Sequence, residues 1–293
     1  MIAEYYRLTK PNIVFLISTT ALVGMFLSTH GVVPWEVLLY GMSGITLATA
    51  SAAVFNQVID RRIDRNMLRT QHRPLAQETI PTPKAIAFGI VLGIIGLAIL
   101  FFKINALTAW LTFFALIGYA AIYTMFLKRA TPQNIVIGGA SGAIPPVLGW
   151  SAVTGTVDPF AWLLFLMIFL WTPPHFWALA IHRKDDYKAI GMPMLPVTHG
   201  TAFTRLHILL YSVLLVLATI FPFLIGFTGL IALSGALALG FWFLRYAWRL
   251  YRYPEDQKLP MQMFWFSIWY LYGLFILLLI DHYVFFTLYD VLG

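Results

Sequence analysis

Asn56, Asp60 and Asp64 fall four residues apart in the stretch NQVIDRRIDRNMLRTQHRPL. On a helix that spacing makes one row, an amide and two carboxylates on a single face. Two carboxylates a turn apart repel each other, and more strongly at a membrane boundary, where the effective dielectric falls. Asp64 has Arg61 one turn back, but Asp60 has no cation three or four residues away, so a divalent ion is its natural neutraliser. Oxygen donors without His or Cys favour Mg²⁺ or Mn²⁺ over zinc. Arg61, Arg65, Arg69 and Arg73 continue at the same spacing. They lie about 100° round the helix from the acids, provided the helix runs that far. Acids for a metal beside guanidinium forks for anions are what a diphosphate site requires. The same residues could also form a solvated loop against lipid headgroups. That reading accounts for the arginines and poorly for the Asn-Asp-Asp ladder.

A second cluster lies in WTPPHFWALAIHRKDDYKAIGMPMLPVTHG, residues 171–200. Pro173 and Pro174 are expected to interrupt a helix and free backbone carbonyls. His175 follows at membrane depth, where an ionisable side chain is a functional candidate by default. Its plain alternative is a neutral histidine bonded to a freed carbonyl. His182 and Asp186 are four apart, and Lys184, Asp185 and Asp186 could serve a second metal or the diphosphate, or be ordinary loop charge. A matching break is expected at Pro145-Pro146, after the small-residue run GGASGA, which permits close helix packing.

The elements that must carry these residues are membrane helices. The chain of 293 residues is 60% hydrophobic and 11% charged, with a mean hydropathy of +0.80. A soluble domain is about half apolar and about a quarter charged. With no cysteine, disulfides, thiolate metal sites and cysteine nucleophiles are excluded. Nine apolar segments are expected at roughly 12–29, 37–58, 84–102, 106–127, 133–152, 160–181, 204–223, 227–247 and 263–286. This predicts an all-α bundle of nine transmembrane helices. Eighteen of the 19 Lys and Arg then fall on the side of the N-terminus, and only Lys103 on the other. That asymmetry puts the N-terminus in the cytoplasm and the C-terminus outside. It also explains the net charge of +7 without nucleic acid. The two long connections, about 59–83 and 182–203, both face the cytoplasm as a cap. They follow spans two and six, and each begins with an acid-plus-base cluster, which suggests a weak two-fold repeat. Arg205 lies outside both clusters and is expected to be a bystander.

Several long motifs now stand together. NQVIDRRIDRNMLRTQHRPL resembles the first aspartate motif, N-x-x-x-D-x-x-x-D, of the UbiA superfamily of intramembrane prenyltransferases. LTKP, DRNMLRTQHRPL, YTMFLKRATPQNIVIGGASGAIPPVLGW, WTPPHFWALAI and DDYKAIGMPMLPVTHG resemble the branch that farnesylates haem, in order from Leu8 to Gly200. The resemblance implies one intramembrane domain over 1–293 with a central cavity. It also implies Mg²⁺-dependent ionisation of farnesyl diphosphate, then addition of the farnesyl group and water to a vinyl group of haem b. Asn56, Asp60 and Asp64 match the family's metal motif, and Asp186 is the position of the second motif that fits cleanly. Asp60, Asp64 and Asp186 are then the catalytic carboxylates. Arg69, Arg73, Lys128 and Arg129 match its basic residues, with Lys184 joining them toward the diphosphate. His175 is assigned to haem. One departure stands out: the second motif is usually D-x-x-x-D, and here His182 holds its first position. The implied partners are haem b, farnesyl diphosphate and the bacterial inner membrane. Haem A synthase or a terminal-oxidase assembly system is the implied downstream partner. The rivals are a prenyltransferase acting on a quinone precursor and a secondary transporter. The WTPPHFWALA and GMPMLPV segments argue against the first. Acids gathered at one membrane face argue against the second.

Overall fold

The computed structural model describes residues 2–67 and 70–285, and every regular element among them is helical. The N-terminal layer is α1 (Ile2–Leu8), α2 (Pro11–Leu27), α3 (Trp35–Asp64), α4 (Thr82–Ile99) and α5 (Ala106–Ile117). Next come α6 (Lys128–Ala130), α7 (Asn134–Ala143), α8 (Pro145–Thr154) and α9 (Pro159–His182). The rest is α10 (Lys184–Ala189), α11 (Leu195–Thr198), α12 (Gly200–Leu224), α13 (Leu230–Arg252) and α14 (Leu259–Val284). Wider π-helical turns extend α4 over Leu100–Ile104 and α5 over Gly118–Leu127. Eight helical stretches are long and apolar enough to cross a membrane. The pair α1 and α2, bent by 53°, makes nine if counted as one span. Side chains such as Ile90, Ile94, Trp110, Phe114, Leu214 and Leu217 are exposed on the outside of the bundle, as lipid-facing positions should be.

Lipid tails are as apolar as leucine, so these helices associate through close packing and hydrogen bonds rather than through the hydrophobic effect. Gly89, Gly93 and Gly96 put one small stripe of α4 against Gly44, Ala48 and Ser51 of α3. A β-carbon on Gly96 would stand 2.8 Å from the Gly44 carbonyl oxygen. The Ser51 hydroxyl donates to the Gly89 carbonyl at 2.7 Å across the same seam. On the opposite face of the layer, α2 and α8 cross almost backbone to backbone. A β-carbon on Gly24 would lie 2.1 Å from the Pro146 carbonyl oxygen, and one on Gly149 1.9 Å from that of Ala21.

The two proline pairs behave differently. Residue 144 leaves the helix before Pro145, which opens α8 from its first turn, where proline is tolerated. The preceding Gly and Ser are weak helix formers, so a break there is cheap. Pro173 and Pro174, expected to interrupt the sixth span, instead lie inside an unbroken α9. Strong helical runs flank them on both sides. Thr172 to His175 are all buried against neighbouring helices, so packing holds the turn that two missing N–H groups would open.

At 30 residues α3 is about 45 Å long, against a hydrocarbon core of about 30 Å. It is therefore about 15 Å longer than the hydrocarbon is thick, and Asn56, Asp60 and Asp64 lie in its last turns.

Candidate functional site

Asn56, Asp60 and Asp64 share one face of α3 and are 3%, 1% and 4% exposed. The row read from spacing is therefore real, and it points inward. Its neutralisers come from distant parts of the chain. Lys128 Nζ meets Asp60 Oδ2 at 2.5 Å, and Arg129 stands 3.8 Å from Asp60 Oδ1. Arg73 clamps both oxygens of Asp64 with one guanidinium nitrogen, at 3.0 and 2.8 Å. Lys10 Nζ donates to Asn56 Oδ1, and the amide Nδ2 of Asn56 donates to Thr124 Oγ1 at 3.2 Å.

Two sequence-local expectations are corrected here. Asp60 does have cations, brought by the segment that follows the fourth span. The arginine row does not exist as a row, because α3 ends at Asp64. Arg61 turns back to the Val58 carbonyl at 2.8 Å, Arg65 pairs with Glu78, and Arg73 returns to Asp64 from the following turns. The Thr70 hydroxyl donates to the Asp64 carbonyl at 3.2 Å and so satisfies one of the acceptors a helix end leaves open. Arg69 lies outside the described residues.

A feature that sequence reasoning missed delivers Lys128. Tyr119 and Lys128 are nine residues apart, which is two and a half turns of α-helix and opposite faces. The stretch Gly118–Leu127 is wound as a π-helix. Bonding from i to i+5 adds about one residue per turn, so nine residues make roughly two turns and both side chains face the same way. The Thr124 hydroxyl closes the wide turn on the Tyr119 carbonyl at 2.7 Å while it accepts from Asn56. Tyr119 stacks on Tyr123 at 5.6 Å, and Tyr123 lies within electrostatic reach of both Asp60 and Tyr187 of α10. Asn134 then fixes the end of the segment, donating through Nδ2 to the Lys128 carbonyl at 3.1 Å.

The charge balance of this pocket is lopsided. Lys10, Arg73, Lys128 and Arg129 surround two carboxylates. The crowding registers on Lys10, in the joint ahead of α2. Desolvation first, then the charges of Arg73 and Lys128, push its ammonium down to about 7, against the pull of Asp60 and Asp64. A pocket with surplus positive charge is built to take an anion. Asp60 Oδ1 is buried and makes no hydrogen bond. A buried carboxylate oxygen without a donor is costly unless something positive completes it. With Asn56 and Asp64 it offers the oxygen-only set that a hard cation such as Mg²⁺ takes.

The second cluster is built differently. Asp186 sits on the short α10, half-buried, with Arg183 3.4 Å away as its partner. Lys184 makes no hydrogen bond or ion pair among the described residues, and His182 is exposed at the end of α9. No group of three His, Asp or Glu gathers for a metal among those residues, so Asp186 does not join Asp60 and Asp64 in one set. His175 lies deeper, 7% exposed, with its ring between Trp171 at 4.2 Å and Phe264 at 4.5 Å. Its Nδ1 is 2.7 Å from Ser267 Oγ on α14 rather than on a carbonyl freed by the prolines. Ser267 also accepts from the indole of Trp171 at its carbonyl, 2.7 Å away. A separate apolar groove of about 260 Å³ between α2 and α14, lined by residues such as Val23, Phe26, Leu271 and Phe275, offers no charged group.

Set beside known proteins, residues 17–280 match the model of the UbiA prenyltransferase family. The chain is 58% identical over 283 residues to a protoheme IX farnesyltransferase of Thioalkalivibrio sulfidiphilus, covering 96% of this chain and 93% of that one. It is 54% identical to a protoheme IX farnesyltransferase of Marinobacter nauticus, with the same coverage. Its fold is similar to a solved digeranylgeranylglyceryl phosphate synthase, with a TM-score of 0.83 at 19% identity over 97% of this chain and 99% of that one. It is also similar to a UbiA homolog from Archaeoglobus fulgidus bound to DMAPP and Mg²⁺, with a TM-score of 0.68 at 17% identity over 94% and 99% of the two chains.

Proposed function

The chain belongs to the UbiA prenyltransferase family, and from that premise we propose that it transfers the farnesyl group of farnesyl diphosphate to a vinyl group of haem b. Water adds in the same reaction, and diphosphate leaves. The product is haem O, one step on the way to haem A. One observation carries the choice of substrates: near-full-length similarity, at more than half identity, to relatives named for this activity. The charged pocket supports the chemistry independently.

In this reading Asn56, Asp60 and Asp64 would hold Mg²⁺, and Asp186, which stands apart from them on α10, would be drawn in from the other loop when the diphosphate binds. Bound there, the ion supplies Lewis-acid stabilisation of the diphosphate oxygens. The chain's own residues do the rest. Arg73, Lys128 and Arg129, with Arg69 and Lys184, fix the diphosphate and take up the negative charge that grows on it as the C–O bond breaks. Because these cations are already in place, little reorganisation is needed when charge develops. The apolar bundle keeps water from the farnesyl cation until the vinyl carbon attacks. Water then adds at the carbon left positive, and its proton is lost. His175, held between two rings and bonded to Ser267, is placed in this reading as the haem contact. It lies seven residues, or about 10 Å, deeper than the end of α9.

The protein acts as a single intramembrane domain of the bacterial plasma membrane, with its N-terminus in the cytoplasm and its C-terminus outside. It passes its product to a haem A synthase or an oxidase assembly system. Reporter fusions within 70–80 and after Gly293 should fall on opposite sides, and same-side results overturn that topology. The deciding assay combines purified protein, haem b, farnesyl diphosphate and Mg²⁺. The reading predicts a haem product heavier by one farnesyl group and one hydroxyl group. If prenyl transfer goes to a phenolic quinone precursor and not to haem, the rival enzyme is correct.

A further inference from the structure

Lys10 occupies the short joint at which the chain bends by 53° between two helices. It links α1 to α2, and its backbone is left-handed, with φ 52° and ψ 62°. For a residue with a β-carbon that conformation costs on the order of 1 kcal/mol or more, so the surroundings must enforce it. They do so from α3. Gln57, neighbour of Asn56 and 2% exposed, donates through Nε2 to the carbonyls of Arg7 at 3.1 Å and Leu8 at 3.0 Å. Leu8 is fully buried in a cluster with Val54, Val58, Leu75 and Ile80. The helix that presents the acids therefore also holds the joint that presents Lys10.

What Lys10 meets is unusual for a partly buried ammonium. Asp60 is taken by Lys128, and Asp64 by Arg73. Lys10 makes no ion pair, and its contact is the neutral amide oxygen of Asn56. A partly desolvated charge without a counterion carries a cost, and an arriving anion recovers it. Each nearby carboxylate already has its own cation, Asp60 through Oδ2 with Oδ1 left open, so the anion that answers Lys10 comes from outside the chain.

From this we infer that Lys10 is a diphosphate-binding residue of the prenyl-transfer site, delivered by the α1–α2 joint. The inference rests on the reading of the site as a prenyl diphosphate site and adds a residue to it. A lysine suits this position because an ammonium is a compact point charge that can follow a phosphate oxygen. Lys10 also ties recognition of the diphosphate to docking of α1, since the same joint does both.

The test is binding, with inorganic pyrophosphate and Mg²⁺ as the probe and the full chain in lipid nanodiscs. Lys10→Met keeps the length of the side chain and removes the charge. It should raise the dissociation constant for pyrophosphate by about tenfold or more, the weight of one charge-assisted contact. Lys10→Arg should recover most of that loss. Arg62→Met, which removes an exposed charge from the same face, should stay within about twofold, and none of the three should alter haem binding. A folded Lys10→Met protein that binds pyrophosphate like the wild type overturns the inference. Amine acylation of the wild-type protein, read by mass spectrometry, needs no variant: pyrophosphate with Mg²⁺ should protect Lys10, and equal labelling with and without it overturns the inference. A wild-type protein that binds pyrophosphate through Lys10 but does not farnesylate haem sinks the proposed activity and leaves Lys10 standing. Loss of pyrophosphate affinity in Lys128→Met but not in Lys10→Met does the reverse.

Discussion

After α3, Asp60 and Asp64 lie buried, and each meets a cation supplied from elsewhere in the chain: Lys128 from the end of the fourth span, Arg73 from nine residues on. After α9, Asp186 stands half-exposed on a six-residue helix, and its partner Arg183 is three residues away on the same loop. The first arrangement ties three elements together. The second ties a loop to itself. The difference teaches where charge has been fixed in advance. Long-range, buried pairs make position precise and their breakage costly. A local, exposed pair is worth about 0–1 kcal/mol and gives way easily to a better partner. The first cluster thus holds its charges in fixed positions, and the second leaves its acids loosely held. Repetition of an acid-plus-base cluster four helices apart, visible in the sequence, therefore does not mean repetition of a role.

The comparison breaks most visibly at Asp60. Asp60→Asn should lower turnover by on the order of a thousandfold or more, about 4 kcal/mol of lost transition-state stabilisation. Because Lys128 then loses its partner, the variant should also melt earlier. Pyrophosphate release at saturating magnesium, beside a melting curve, reads both effects. Near-normal turnover would remove the metal assignment. Asp186→Asn should cost about a hundredfold in rate with no fall in melting temperature, since only a local pair is lost. A marked loss of stability would show that the second loop is as firmly built as the first.

His175→Ala sharpens the contrast between the charged cluster and the interior. Haem affinity should weaken by about tenfold while pyrophosphate affinity stays nearly unchanged. Haem absorbance and a pyrophosphate titration on one preparation separate the two, and the opposite pattern would place His175 at the diphosphate end. The smallest kinetic effect is expected at Arg205. The sequence marks it as a bystander, yet it is 9% exposed and donates to the Pro254 carbonyl at 2.7 Å. Arg205→Ala should leave the Michaelis constants alone and cost about 1–3 kcal/mol of stability, because a carbonyl acceptor loses its charged donor. A mild mutant with unchanged melting would show that this anchor is idle.

Much of the fold was legible in advance. Long apolar segments, short turns and the one-sided charge distribution predict nine spans; eight helices are found, or nine with the bent pair, most within a few residues of those segments, while α3 runs on to Asp64 and α13 to Arg252. The row of Asn56, Asp60 and Asp64 was legible too, because helical periodicity alone decides which residues share a face. The partners of those residues were not. Lys128 and Asp60 are 68 residues apart, and nothing local pairs them. The π-wound stretch before Lys128 also defeats any count made at 3.6 residues per turn. The arginine row failed for the opposite reason, since the count assumed a helix that stops at Asp64. The prolines at 173 and 174 show that a breaker acts only where packing lets it.

The crossing of α2 over α8 has an electrical consequence. An enzyme embedded in an energised bilayer must not become a conductor. Moving one elementary charge across 100 mV is worth about 2.3 kcal/mol, so a continuous thread of water would be driven steadily. Where Gly24 meets Pro146 and Gly149 meets Ala21, main chain abuts main chain with no side chain between to swing aside. A crossing so close leaves no room for water between the two main chains. Putting a methyl group at either glycine would separate the helices, and the first symptom would be proton leakage through vesicles carrying the protein.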